Sequence, residues 1–447
     1  MTADNNEFAS LKSSLLSSAT PLDARFRALF ELRGIASQSQ EEAHQAIDII
    51  AQGFQDDSAL LKHELAYVLG QIADPYANKT LTSVLANLNE DPMVRHEAAE
   101  ALGAISSVDS LPILEKYITD SDVSVRETCE LAIEKIKYDQ SEEAQRIKAA
   151  QREKAQKAAS AAPPSDTDYE LNPLHHHDQD DDEAFAPIDP APALSSAALG
   201  ASTSQSAPRS AKDAEAAAAP VQSLSSDPAH TRTLLASYRS SLLAGDSLSL
   251  WERYRAMFSL RNVVHASARA AEKARLLLAT SPDAAVRQTQ AGLAADWDRV
   301  GKEAVLALAD GLQDKSALFR HEICFVFGEL SHKASIPSML RVLADSSEHE
   351  MVRHEAAEAL GGIAEEAAED ADQGAKAEDE TILEDVIKEL KRWAEDLSAP
   401  RVVRESCIVA LDEMAYNNDP TQFQRVDGTS GLGTDVPSLP TPVAAAS

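Results

Sequence analysis

The stretch MVRHEAAEALG stands twice in this 447-residue chain, at 93–103 and 351–361, with all eleven residues the same. A related stretch precedes each copy at the same distance: SALLKHELAYVLG at 58–70 and SALFRHEICFVFG at 316–328. A short amphipathic unit repeated at such a spacing cannot bury its apolar face alone. It must stack on its neighbours, and that restricts the chain to a solenoid or a closely related repeat architecture.

The first half holds four such segments, beginning at Asp23, Ser58, Pro92 and Val123. Asp, Ser and Pro suit the first turn of a helix. The first three segments run to a glycine, read here as the residue of the turn that follows a helix. Aligned on those glycines, Arg27-Ala28, His63-Glu64 and His96-Glu97 are equivalent, and Arg126-Glu127 follows by pattern. Further apolar-periodic stretches lie between them. One unit is therefore two helices in roughly 30–36 residues, the pattern of HEAT repeats. Leu65, Val68 and Leu69, with Ile323, Val326 and Phe327 in the second half, fall on the stripe that should be buried. Cys129 and Cys407 hold one repeat position and read as small core residues.

RFRALFELRG at 25–34 returns as RYRAMFSLRN 228 residues later, the His-Glu units return after 258, and Arg126 returns as Arg404 after 278. The growing offset places one insertion of 30 residues between about His265 and Arg299, and one of 20 near 365–380. Both are read as loops between repeats. The expected organisation is all-α: a HEAT-like α-solenoid in two pseudo-symmetric halves, 11–138 and 227–416, joined by a long disordered linker. Residues 1–10 read as a frayed terminus. The linker, 139–226, opens with a charged helical extension and continues as Ala-, Ser-, Pro- and Asp-rich sequence that cannot bury a core. It is expected only to tether the halves. Its His175-His176-His177 run could hold a metal loosely but reads more simply as solvated chain. Residues 417–447 read as a disordered tail.

The formal net charge of −32 argues against nucleic acid as a direct partner and favours a cationic one. No apolar run is long enough for a membrane span, and the N-terminus lacks a basic start followed by an apolar core. Three cysteines fit a reducing compartment, so the chain is expected in the cytoplasm, with nuclear residence also compatible, and as a monomer.

The chemistry lies in the four His-Glu pairs. They occupy the two middle units of each half, while the outer units put Arg-Ala or Arg-Glu there. Repeats stack in register, so His63-Glu64 and His96-Glu97 share one surface, and His321-Glu322 and His354-Glu355 share the matching one. If the surfaces face each other, up to eight nitrogen and oxygen ligands converge with no thiolate among them. Such a set suits iron, manganese or zinc, and its size suits a dinuclear iron oxygenase centre better than a structural zinc. Neighbouring residues on a helix point about 100° apart, so one pair need not serve one metal. In one division the four histidines with Glu97 and Glu355 are direct ligands. Glu64 and Glu322 then orient a ligand or water, or help to hold a substrate amine.

On these residues the chain resembles the deoxyhypusine hydroxylases, over about 20–138 and 235–415. The resemblance implies a non-haem diiron monooxygenase with two ferrous ions per chain, held by His63, Glu64, His96, Glu97, His321, Glu322, His354 and Glu355. It implies the deoxyhypusine form of translation initiation factor 5A as protein substrate, with molecular oxygen and an electron donor. The linker, the insertions and the tail lie outside that pattern. Two other classes share the repeat pattern: a non-catalytic HEAT scaffold, which needs no facing histidines, and a HEAT-type lyase of tetrapyrroles, which needs no matched His-Glu pairs.

Overall fold

The structure is a computed structural model that describes residues 5–160, 188–194, 227–372 and 377–417. The His175 run, the rest of the linker and residues 418–447 lie outside the described residues. Among those described, every regular element is helical.

The first half comprises α1 (Asn5–Leu16), α2 (Leu22–Ala36), α3 (Gln40–Gln52), α4 (Ala59–Ile72), α5 (Asn78–Ala86), α6 (Pro92–Ile105), α7 (Leu111–Tyr117) and α8 (Val123–Asp139), with α9 (Glu142–Ser160) running on from it. The second comprises α10 (Pro228–Leu242), α11 (Leu250–Thr280), α12 (Ala284–Asp310), α13 (Ala317–Leu330), α14 (Ile336–Ala344), α15 (Glu350–Asp372), α16 (Ala377–Glu395) and α17 (Arg401–Asn417). Each half is four hairpins. The even-numbered helices of the first half and the odd-numbered helices of the second form the inner rows. Leu65, Val68, Leu69, Ile323, Val326, Phe327, Cys129 and Cys407 are all fully buried, as the periodicity requires.

Four details differ from the sequence reading. Residues 5–10 belong to α1, because Phe8, Leu11 and Leu15 form a stripe buried against the first unit. The repeated glycines do not end helices. Gly70 and Gly103 lie inside α4 and α6, which close on Ala73 and Ser106 in left-handed conformation. Their role is close approach: a Cβ on Gly70 would lie 3.0 Å from Ala101 Cα, and one on Gly103 2.9 Å from Ala132 Cβ. Nor do the described residues of the insertions form loops. The first lengthens α11 and α12 beyond α2 and α3, with Ala271, Ala274, Ala294 and Trp297 buried along the extended hairpin. The second lengthens α15 and α16.

The fourth difference is in the linker. Residues 188–194, IDPAPAL, are seated between the halves. Asp189 receives a forked pair of 2.6 Å hydrogen bonds from Arg261 of α11, which also donates to Glu329 of α13. Arg255 donates to the carbonyl of Pro192 and Leu194 N–H to Ser259 Oγ. Ile188 and Pro190 line one small pocket with Gly103, Leu131 and Lys135 of α6 and α8. This strap is therefore bonded to the second half and borders a pocket shared with the first, and the linker does more than tether.

Buried arginines join successive hairpins. Arg25, Arg95 and Arg253 donate from Nε to the carbonyls of Leu15, Leu85 and Leu242, and each is paired with an aspartate: Asp56, Asp120 and Asp314. The halves close on each other at two pseudo-equivalent seams. Ser58, which caps α4, donates to Glu405 of α17 at 2.8 Å, and Ser316, which caps α13, donates to Glu127 of α8 at 2.5 Å. Arg27 adds an ion pair to Asp412. The Arg-Ala and Arg-Glu positions of the outer units thus fasten the ring, while the inner units are left for chemistry.

Candidate metal centre

Four inner helices carry the pairs: α4 His63-Glu64, α6 His96-Glu97, α13 His321-Glu322 and α15 His354-Glu355. All eight side chains are buried. Close packing of α4 on α6 at Gly70 and the looser contact of α13 on α15 at Gly328 hold the paired helices together within each half. The seams then bring the two halves face to face. The ring centroids of His63 and His354 lie 5.1 Å apart, and His63–His96, His96–His321 and His321–His354 each 5.4 Å. His63 and His321 lie 6.0 Å apart.

Carboxylates reach across from the neighbouring helix. Glu97 Oε2 is 3.2 Å from His63 Nε2, and Glu355 Oε2 is 3.2 Å from His321 Nε2. Neither contact is aligned as a hydrogen bond, since both nitrogens lack a partner of that kind. Two ligand atoms about 2.1 Å from one metal and at right angles lie about 3 Å apart, so the spacing suits a shared ion. Both ring nitrogens of His96, His321 and His354 are buried without a hydrogen-bond partner, as is Glu322 Oε1. Buried polar atoms are rarely left so, because each costs about 1–3 kcal/mol. Donor atoms come within 4.8 Å of one another in three groups: His63, His321 and His354; His63, His96 and Glu97; and His354, Glu355 and Glu358. Glu64 and Glu322 are in none of these. Glu64 instead contacts His63 Nδ1 at 3.1 Å.

Electrostatics sharpen the picture. Burial and the other imidazoles hold His96 and His354 well below the ordinary histidine range, and burial with His63 pushes His321 down to about 3. These three are therefore neutral at pH 7, which is the ligating form. His63 is raised: burial opposes the charge, but Glu97 and Glu64 outweigh it. Burial raises Glu322 and Glu355 well above the carboxylate range. A pocket this rich in acids is completed by positive charge: a bound dication would reverse the upward shifts of His63, Glu322 and Glu355 and hold the other three imidazoles neutral.

All of the pair residues except His96 and His354 line a cavity of about 150 Å³, together with four further residues. Glu100 and Glu358 follow His96 and His354 by four residues, and Tyr67 and Phe325 follow His63 and His321 by four. One helical turn brings each onto the same face, so the period that located the core also carried this signal. The His-Glu dipeptides alone do not contain it. Burial and Glu97 push Glu100 up to about 8.

A family model of HEAT repeats matches residues 47–134 and 305–412. A deoxyhypusine hydroxylase of Mycosarcoma maydis is 50% identical over 409 residues, covering 92% of this chain and 94% of its own. The rat deoxyhypusine hydroxylase is 35% identical, covering 95% of this chain and 97% of its own. The solved structure of human deoxyhypusine hydroxylase in complex with glycerol superposes with a TM-score of 0.56 at 33% identity, covering 92% of this chain and 96% of that one.

Proposed function

The chain belongs to the deoxyhypusine hydroxylase family, and from that premise we propose that it converts deoxyhypusine on translation initiation factor 5A to hypusine at a pair of ferrous ions. The observation that carries this reading is the set of buried imidazole nitrogens with no protein partner, ringed by carboxylates from both halves. An iron pair would supply the activation of O2 that no side chain provides. One oxygen atom enters a C–H bond and the other leaves as water, with two electrons and two protons from an external reductant.

The chain's own groups have separable tasks. His63, His96, His321 and His354 with Glu97 and Glu355 would hold the ions. Glu64, on His63 Nδ1 at 3.1 Å, fixes the orientation of that ring. Glu100, Glu322 and Glu358 face the cavity without a fixed cation of the protein among its lining residues. An ammonium group entering beside them lowers their affinity for protons, so they ionise and hold it. The negative field of the whole chain draws a basic side chain inward. Burial of the ligands keeps water from competing. The three buried free cysteines suit a reducing cytosol as the working compartment.

Incubation of the protein with ferrous iron, reductant, O2 and deoxyhypusine-bearing factor 5A tests the reading by mass spectrometry. A gain of one oxygen atom is expected. Metal-loaded, folded protein that leaves the mass unchanged overturns it.

A further inference from the structure

The cavity is built twice over. Its lining falls into five pseudo-equivalent pairs: His63 with His321, Glu64 with Glu322, Glu97 with Glu355, Glu100 with Glu358, and Tyr67 with Phe325. Four pairs are chemically identical. The fifth is not, and the difference is one hydroxyl group. The two rings meet edge to face, centroids 5.9 Å apart, and both are half-buried.

That hydroxyl is held in a definite sense. Arg33 donates to Gln71 Oε1 at 2.5 Å, and Gln71 Nε2 donates to the Tyr67 oxygen at 2.6 Å. A guanidinium has no acceptor, so the Gln71 amide can face Arg33 only through its oxygen. Its NH2 must then face Tyr67, and the phenol accepts. The phenolic proton is left to point elsewhere, and Tyr67 has no other hydrogen bond among the described residues. The second half reverses this at every step. Position 329 is glutamate where 71 is glutamine, Arg261 is shared with Asp189 of the strap, and Phe325 has nothing to donate. Burial, and then Glu64 and Glu97, keep the phenol protonated.

We propose that Tyr67 is a catalytic hydrogen-bond donor, its O–H aimed into the cavity by Arg33 and Gln71 so that it donates to the oxygen atom delivered to the substrate. The inference rests on the hydroxylase reading above. The substrate's ammonium groups are donors only and cannot accept from a phenol. The new hydroxyl oxygen can. The donor stands on one side of a cavity that is otherwise two-fold, so it distinguishes two poses of the substrate that the metal ligands treat alike.

The test uses the full-length, iron-loaded protein and compares Tyr67→Phe, which reproduces the Phe325 side, with Gln71→Glu. A glutamate at 71 accepts the phenolic proton and turns it away from the cavity without removing the ring. Both variants are expected to bind as much iron as the parent and to keep KM for the protein substrate within about twofold. Both should lose about tenfold in kcat, the scale of one directed hydrogen bond. Both should also consume more O2 per hydroxylated product. Tyr67→Phe at parental kcat and coupling overturns the proposal. So does loss of iron in step with activity, which would mark the residue as structural, or Gln71→Glu at parental kcat, which would remove the directed proton. Inactivity of the parent protein itself would instead refute the hydroxylase reading.

Discussion

Gly70 and Gly328 are equivalent residues of the two halves with different surroundings, and they set up a paired experiment. A Cβ on Gly70 would lie 3.0 Å from both Cα and Cβ of Ala101, inside normal contact with a backbone atom that cannot swing away. A Cβ on Gly328 would lie 3.5 Å from the same atoms of Ala359, an ordinary contact. Alanine gains up to about 1 kcal/mol over glycine inside a helix. Overpacking against a fixed neighbour costs about 1–3 kcal/mol. Gly328→Ala should therefore stabilise by up to about 1 kcal/mol, while Gly70→Ala should destabilise by about 1 kcal/mol once its helical gain is subtracted. The difference also reaches the metal centre. Relief at Gly70 separates α4 from α6, and that widens the 3.2 Å approach of His63 to Glu97. Urea denaturation of the metal-free variants, with equilibrium dialysis against ferrous iron, reads both effects. Weaker iron binding is expected for Gly70→Ala alone. Equal behaviour of the two variants, or greater damage from Gly328→Ala, would refute the close-approach account of these glycines.

Three further outcomes are expected. Glu97→Ala should lose more bound iron than Glu64→Ala, because Glu97 joins two histidines in one donor cluster and Glu64 joins none; equal loss on metal analysis would count against that division. Asp189→Ala should free the strap at a cost of about 1–2 kcal/mol, below the value for a fully buried pair because Arg261 keeps Glu329; limited proteolysis should then cut within 188–194 faster than in the parent. The hydrogen bond from Arg95 depresses the pKa of Asp120, so its stabilisation is complete above the unfolded value of about 3.9 and is lost as pH falls through the lower folded value. Asp120→Asn should cost about 3 kcal/mol at pH 7, by stranding a buried guanidinium, and the gap to the parent should shrink below about pH 4.

What the sequence made legible follows from periodicity. Repeats, halves, buried stripes and all eight residues at the His-Glu positions can be read because a solenoid places equivalent residues in equivalent surroundings. The positions and sizes of both insertions also follow from offsets. Their helical nature did not, because an offset counts residues and not conformation. The glycines were misassigned because a helix end and a helix crossing use the same property, a missing Cβ, and only the partner helix distinguishes them. Glu127 and Glu405 gave no sign of closing seams, since their partners Ser316 and Ser58 lie 189 and 347 residues away. IDPAPAL has no periodicity of its own. Its order comes from Arg261, Arg255 and Ser259, and a composition-based reading cannot see them.

The closure of the ring by Glu127 and Glu405 also orders events in time. His96 must await His321, 225 residues later, and at about 5–20 residues per second that interval is roughly 10–50 seconds of synthesis. Throughout it the emerging first half displays two histidines and their carboxylates on an open surface with no facing wall. Such a half-site meets every cation in its surroundings but encloses none of them. The full donor set is therefore assembled only when Glu405 reaches Ser58, so docking of the last repeat decides when the two walls of the candidate centre first face each other.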